Sequence, residues 1–446
     1  MEIAGKRIAV VGLAQSGLAA VEFLLAQGAR VRAIDCKPLE ELKEAGRTLE
    51  RMGVPFEPQS PAAFEGVDGI VISPGVPADL PELEAARQRG VPVLGDVELA
   101  SAFLRGPTIG ITGANGKTTT TALVGHILSV CGIPAQVGGN IGAPVTGMIA
   151  SSRPEQWNVL ELSSFQLETI ARFRARIAVC LNVTPDHLDR HHSFENYANA
   201  KARLFETQRE EDFAVLNADD ASCAEYGRRT RARTVWFSTT RALPRGLYAD
   251  QARLYFDGAP FLELGGIPLR GRHNVENTLG AAGAAHLAGA SPEAIARAVG
   301  TFPGVEHRIE FVRTLAGVDF YNDSKATNVD ATLKAIAAFP GRLWIILGGK
   351  DKGSDYTVLR EPLGERAHAA LLVGAAAPKI AAELGEAVRL IHAGTLETAV
   401  RAAFHEARPG DTVLLAPACA SFDQFDNYEH RGRVFKSLVA ALEEKG

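Results

Sequence analysis

Residues 107–132 read PTIGITGANGKTTTTALVGHILSVCG. The apolar run PTIGIT predicts a short buried strand, and TTTALVGHILSVCG (119–132) carries apolar residues at helical spacing, so a strand passes through a glycine-rich turn into a helix. Gly113 and Gly116 let that turn tighten and point its N–H groups inward. Lys117 adds a cation, and Thr118 or Thr119 offers a hydroxyl to a divalent ion. A helix N-terminus at the same place favours anions. The stretch therefore predicts a cradle for a nucleotide's phosphates, although Ile111 stands where the strict G-x-x-x-x-G-K-[ST] pattern has its first glycine.

Upstream, RIAVVGL, the helical SGLAAVEFLLAQG, then RVRAID, GIVISPGVP and VPVLGD alternate like the strands and crossover helices of a parallel sheet. Gly12 and Gly17 flank the first turn and Asp35 closes the second strand, as in a dinucleotide fingerprint. Ala14 replaces the middle glycine, which weakens the case for NAD and leaves room for another nucleotide. Downstream of the loop, WNVLEL, RIAVCLNV and DFAVLNAD read as further strands, and TVWFST, GLYAD, ARLYFDG and FLELGGIPL as antiparallel sheet. The helical NVENTLGAAGAAHLAGA follows. Beyond it, GRLWIILGG, AALLVGA, AVRLIHAG and DTVLLAPACAS restore the doubly wound alternation. The expected fold is α/β in three domains. A Rossmann-like domain spans 1–94, a central P-loop ATPase-type domain with some antiparallel sheet spans 95–300, and a second Rossmann-like domain spans 301–446.

With 446 residues, several cores are affordable, and a net charge of -5 without any long basic run gives no footprint for nucleic acid or an anionic membrane. Five scattered cysteines (36, 131, 180, 223, 419) have no C-x-x-C spacing, which argues against a zinc site or disulfide framework and fits a reducing compartment. Neither a leader nor a membrane-spanning apolar stretch is visible, so the expectation is a soluble, cytoplasmic monomer acting on small molecules.

Chemistry-bearing residues gather at strand ends, where open sheets place their ligands. Glu161 ends one apolar run, and Thr184, Asp186, His187 and Asp189 follow another. Such an oxygen-rich set with an imidazole suits a hard cation bridging phosphates. Lys201 lies on a helical pattern that ordinarily turns lysine to solvent. Arg308, Lys325 and Lys352 lie in or beside polar turns, and Ser421 follows the strand DTVLLAPA.

Taken together, TGANGKTTT, GGNIG (138–142), ELSSFQLE (161–168), TPDHLDRH (184–191), GRHNVEN (271–277), EHRIE (306–310), NDSKATN (322–328) and ACASFDQFDNYEHRG (418–432) resemble the Mur ligase family of bacterial cell-wall synthesis, in order along nearly the whole chain. The last two motifs favour the branch that adds D-glutamate. The resemblance implies that three domains bind a UDP-sugar, ATP and an amino acid in turn. It implies an ATP-dependent ligase that joins D-glutamate to UDP-N-acetylmuramoyl-L-alanine through an acyl phosphate, with two Mg²⁺ ions.

Carried onto this sequence, the resemblance makes Lys117, Glu161, His187 and Lys201 catalytic. Gly113, Ala114, Asn115, Gly116, Lys117, Thr118 and Thr119 would wrap the ATP phosphates, with Asn274, Arg308 and Asp323 as further ATP contacts. Thr118, Glu161, His187 and a carbamylated Lys201 would be the magnesium ligands. Ser16, Asp35, Lys37, Asn140, Ser163, Gln166 and His187 would hold the UDP-muramoyl-alanine substrate, and Lys325, Thr327, Lys352, Ser421, Phe422 and Tyr428 the D-glutamate. Tyr428 stands where a phenylalanine is familiar, and GGKDKG offers Lys350 as an alternative to Lys352. Rival readings are a sister ligase with another amino acid, a folate polyglutamate synthetase, and a nucleotide switch.

Overall fold

The computed structural model describes residues 2–443. They form two compact units, one running to Ile267 and resuming over His273–Phe302, the other joining Pro268–Arg272 to the chain from Pro303 onward.

The first unit contains two sheets. The N-terminal one has strands β1 (Arg7–Val11), β2 (Arg30–Asp35), β3 (Phe56–Pro58), β4 (Gly69–Ile72) and β5 (Val93–Gly95), all parallel, in the order β3-β2-β1-β4-β5. Along β1, Ile8 and Val10 pack on one face with Val21 and Leu24 of the helix Gln15–Ala26, while Ala9 and Val11 pack on the other with Ile70 and Ile72. That two-sided burial is what a continuous apolar run dictates. Strand order reverses between β1 and β4, opening a crevice at their carboxyl ends. There Gly12 takes φ +85°, and a Cβ on Gly17 would lie 1.9 Å from the Gly12 carbonyl oxygen, so helix and turn approach as closely as two glycines permit.

The central sheet comprises β6 (Thr108–Thr112), β7 (Ala135–Gly139), β8 (Trp157–Glu161), β9 (Ile177–Cys180), β10 (Phe213–Asn217), β11 (Arg233–Ser238), β12 (Leu247–Ala249), β13 (Arg253–Phe256) and β14 (Ala259–Glu263), in the order β14-β13-β12-β11-β10-β9-β6-β8-β7. Among the described residues its antiparallel pairings are β12 with β13 and β13 with β14. GLYAD lies in the antiparallel part as expected, since β12 pairs antiparallel with β13, whereas TVWFST does not, because β11 pairs parallel with both β10 and β12. For β11 the cause is the helix Ala221–Arg229, a crossover that brings the chain back in its original direction.

The second unit holds β15 (Glu310–Leu315), β16 (Val318–Asn322), β17 (Leu343–Gly348), β18 (Ala367–Val373), β19 (Leu390–Gly394) and β20 (Thr412–Leu415), in the order β15-β16-β20-β17-β18-β19. Ile345 and Leu347 face one core layer, Trp344 and Ile346 the other. The edge strand β15 is antiparallel to β16, a hairpin that the doubly wound expectation did not contain. Its turn uses Ala316 and Gly317, both at positive φ. Alanine in place of the usual Asn or Asp removes the sequence signal for such a turn.

Candidate active site

The loop after β6 leads into the helix Lys117–Val130, whose N-cap is Gly116 at φ +85°. A Cβ on Gly116 would lie 2.0 Å from Asn277 Oδ1, so glycine is required there for packing as well as for backbone geometry. Lys117 curls back, its Nζ donating to the carbonyls of Gly113 and Ala114 at 2.9 Å each. Lys201 Nζ reaches the same Gly113 carbonyl at 2.8 Å from the helix Phe194–Glu206. Two ammonium groups thus converge on one carbonyl at the end of β6.

Lys201 is only 1 % exposed, contrary to the solvent-facing position its helical pattern suggested. It shares an inward stripe with Tyr197, Leu204 and Phe205, all buried, and its Nζ sits 4.5 Å from the Tyr197 ring centre. Burial, and next the charge of Lys117, push its pKa down to about 7.

Glu161 closes β8, opposite Ile111 of β6. Its Oε1 accepts from Asn140 Nδ2 at 2.9 Å, whereas the buried Oε2 has no hydrogen-bond partner among the described residues. An unpartnered carboxylate oxygen beside a phosphate loop fits a hard divalent cation. The geometry therefore accommodates the magnesium that the sequence implied. Thr118 is buried in the first turn of the loop's helix, as is Thr119.

His187 enters from the loop after β9 with φ +51° and a half-exposed side chain. Its link to the Glu161 segment is the ring of Phe165, 4.9 Å away. The Asp189 side chain lies outside the described ones. Ser163 and Gln166, expected at the sugar substrate, also form a capping box on the short helix Ser164–Leu167. Gln166 Nε2 donates to Asp96 Oδ2 at 3.3 Å, and desolvation raises the pKa of the buried Asp96 to about 6.

In the N-terminal crevice, Asp35 accepts from the backbone N–H of Leu13 at 2.8 Å and of Lys37 at 2.9 Å, so its carboxylate frames the turn. Ser16 is half-buried in the first turn of a helix whose N-cap, Ala14, supplies no side-chain cap. Lys37 is exposed. Asn274 accepts from Asn277 at 2.9 Å on the helix that covers the phosphate loop. Sequence reasoning missed two neighbours here. Asn182 bonds both backbone groups of Asn115 and donates to Glu276 at 2.7 Å, and desolvation raises the pKa of that carboxyl.

In the second unit, β16, β20 and β17 lie side by side, which makes neighbours of the three loops at their carboxyl ends. Those loops carry Lys325 and Thr327, Ser421 and Phe422, and Lys352. The Lys350 backbone pairs with Ala420 in both directions, at 2.8 and 3.1 Å. Lys352 and Phe422 are exposed, Ser421 is buried, and Lys325 Nζ lies 5.3 Å from the Tyr428 ring. Desolvation lifts the pKa of Asp323 to about 7, with Arg308 opposing the shift. The organiser that the sequence did not disclose is Arg431. Its buried guanidinium binds the Ser324 hydroxyl and carbonyl and the carbonyls of Cys419 and Ala420.

A phosphate loop on a parallel sheet, with a buried lysine and an unsatisfied carboxylate at the strand ends, defines an α/β protein of the nucleotide-using class. Three family descriptions match in order along the chain. They are the MurD-like N-terminal domain of Mur ligases over residues 6–95, the Mur ligase middle domain over 111–285, and the Mur ligase glutamate ligase domain over 307–419. The chain is 62 % identical over 445 residues to UDP-N-acetylmuramoylalanine–D-glutamate ligase of Solibacter usitatus, covering 100 % of both chains. It is 53 % identical to the enzyme of the same name from Acidobacterium capsulatum, covering 99 % of this chain and 97 % of that one. Its fold is similar to that of UDP-N-acetylmuramate-alanine ligase MurC from Thermotoga maritima, with a TM-score of 0.62 at 18 % identity over 98 % and 99 % of the two chains. The chain belongs to the Mur ligase family, on its MurD-like branch.

Proposed function

We propose that this chain is an ATP-dependent amide ligase that adds D-glutamate to UDP-N-acetylmuramoyl-L-alanine through an acyl phosphate, in peptidoglycan precursor synthesis. The observation that carries the reading is the convergence of Lys117 and Lys201 on the Gly113 carbonyl beside the unsatisfied Glu161, in a chain of MurD-like sequence. The alanyl carboxylate oxygen bonds to the γ-phosphorus as the bond to ADP breaks. The amine of D-glutamate then bonds to the acyl carbon, losing a proton as phosphate departs. ATP is needed because hydroxide leaves poorly from a carboxylate and phosphate leaves readily.

The chain's residues divide these tasks. Gly113 to Thr119 cradle the phosphates, and Lys117 turns from the loop carbonyls to the β/γ oxygens. Asn274, Arg308 and Asp323 hold the rest of ATP. Magnesium, when bound, offsets repulsion between the carboxylate and the triphosphate. Thr118, Glu161 and His187 would hold it on this reading, for two ions in all. Burial lowers the pKa of Lys201 and so favours its neutral amine, whose nitrogen would bond to the carbon of carbon dioxide with loss of a proton, and the resulting carbamate would supply an oxygen ligand.

Residues 1–94 take the UDP-sugar, with Ser16, Asp35 and Lys37 at the uridine nucleotide. Residues 95–300 take ATP, with Asn140, Ser163, Gln166 and His187 towards the muramoyl-alanine arm. Residues 301–446 take D-glutamate, through Lys325, Thr327, Lys352, Ser421, Phe422 and Tyr428. We assign the enzyme to the cytoplasm as a monomer. No helix among the described residues is long and apolar enough to cross a membrane.

The test is phosphate release with ATP, Mg²⁺ and UDP-N-acetylmuramoyl-L-alanine across amino acids of both chiralities. D-Glutamate alone should stimulate it. Stimulation by another amino acid would overturn the substrate assignment, and release independent of the acceptor would leave a nucleotide switch.

A further inference from the structure

The loop that presents His187 is fastened on its far side by a residue to which no function has been assigned. Arg190 lies three positions on, half-buried, on the turn of helix Leu188–His191. Its Nη2 donates to the Val76 carbonyl at 2.9 Å and to Glu168 Oε1 at 2.5 Å, and its Nη1 points to the Gly75 carbonyl at 3.4 Å. The guanidinium also lies 5.1 Å from the centre of the Phe165 ring. Phe165 in turn meets His187 at 4.9 Å and stacks on His191 at 5.4 Å, with an interplanar angle of 14°. One planar cation therefore joins three segments: the turn after β4, the helix that follows Glu161, and the loop of His187.

The turn after β4 is no ordinary surface loop. Ser73 donates from its hydroxyl to the Gly12 carbonyl at 2.6 Å, and the Val76 N–H closes the turn on the Ser73 carbonyl at 2.9 Å. Gly12 and Ser73 stand at the reversal of strand order, where a ligand of this sheet binds. A continuous set of contacts thus leads from that crevice through Ser73, Val76 and Arg190 to His187. His187 needs such support, because a non-glycine residue at φ +51° persists only where its surroundings hold it. The neighbouring Asp186, which His187 also meets, sits on the same loop and cannot fix that loop to anything else.

We propose that Arg190 is a positioning residue for His187, fastening the turn of the nucleotide-binding crevice to the reaction-centre loop so that the UDP end of the substrate and its reacting end are held in one register. The inference rests on the proposed function in taking His187 to act at the reacting end. Arginine suits the task because its rigid fork serves two carbonyls and a carboxylate at once while its face covers an aromatic ring, which a lysine cannot do.

The experiment compares wild-type, Arg190→Ala and Arg190→Lys in the full chain. It measures kcat and KM for UDP-N-acetylmuramoyl-L-alanine, ATP and D-glutamate, the calorimetric Kd for UDP alone, and thermal melting. A misplaced catalytic loop should lower kcat by about 10- to 100-fold in Arg190→Ala at saturating substrates. The KM for ATP and the Kd for UDP should stay within about threefold, because neither the phosphate loop nor the Gly12 turn loses a bond of its own. Arg190→Lys, which keeps the charge, should melt near wild-type and recover part of kcat, and added guanidinium ion should raise kcat of Arg190→Ala.

Wild-type kcat in Arg190→Lys and Arg190→Ala, or losses confined to KM and to UDP affinity, would overturn the inference and leave the ligase reading standing. A wild-type protein that shows no D-glutamate-dependent phosphate release would overturn the ligase reading itself. Should Arg190→Ala fail to fold, the kcat of the folded Arg190→Lys decides.

Discussion

The strand ends of the central sheet and those of the second unit carry candidate residues in opposite ways. At the central sheet the charged groups are themselves interred, with Lys201 and Glu161 each 1 % exposed. In the second unit two of the side chains expected to meet a ligand, Lys352 and Phe422, stand in solvent, while a different group, Arg431, is buried and holds the backbone of the loops. A charge that must meet a phosphoryl group in fixed geometry gains strength from exclusion of water. Loops proposed to admit and release an amino acid present exposed side chains such as Lys352 on a fixed backbone instead. Activity and stability should therefore separate under mutation of Lys201 and fall together under mutation of Arg431.

The largest effect is expected at Lys201. Lys201→Ala should lower kcat by ~10²-fold or more, the scale for losing one preorganised partner of a developing charge, with partial rescue by acetate standing in for a carbamate. Stability should move the other way. The pKa of Lys201 falls from 10.5 to about 7 on folding, so between those values the unfolded chain binds the proton that the native one releases. Native stability lost to this lysine is greatest below pH 7 and is recovered as pH rises towards 10. Lys201→Met should thus melt above wild-type at pH 6, with the gap closing by pH 10. A gap independent of pH would mean that the buried ammonium is not what sets it.

That lysine also marks how far the sequence could be read. The β6 strand, the glycine turn and the following helix were legible because each is local, and the helix begins at Lys117 where the turn ends. The helical spacing of Tyr197, Lys201, Leu204 and Phe205 held a signal too, a lysine set in an apolar stripe, but taking lysine as a surface residue by default hid it. Asp96, Asn182, Glu276 and Arg431 gave no local sign. Their distant partners, Gln166, Asn115, Asn182 and Ser324 in turn, lie 70, 67, 94 and 107 positions away in the chain, and only the folded sheets bring them together. Strand β15 was missed for a different reason, since its turn lacks the residues that announce a hairpin.

Arg431 tests the other half of the comparison. Its guanidinium is 2 % exposed and joins the loop after β16 to the loop after β20, with desolvation pulling its pKa down to about 10. Arg431→Ala would leave the Ser324, Cys419 and Ala420 carbonyls with fewer donors in a dry site, at a cost of about 2–4 kcal/mol. Chemical denaturation should register that loss, together with a raised KM for D-glutamate. If stability were lost while that KM held, the loops would not depend on this scaffold for their binding geometry.

The smallest effect should distinguish two lysines in one loop. Lys350 exchanges both backbone hydrogen bonds with Ala420, and Asp351, just after it, accepts from Tyr356 Oη at 2.7 Å and from Lys379 Nζ at 3.0 Å. Those bonds pin the loop base, so Lys350 contributes chiefly through its main chain. Lys352 comes after the pinned part and before Gly353 at φ +80°, where the chain turns and the side chain is exposed. A cation there can meet a ligand carboxylate as a rim contact, worth about 1 kcal/mol, whereas a pinned neighbour contributes less. Lys352→Ala should therefore raise the KM for D-glutamate by roughly fivefold, and Lys350→Ala by less than about twofold, both with melting temperatures near wild-type. The reverse ranking would place the ligand at the base of the loop, and the second unit would then resemble the central one in using its anchored residues for binding.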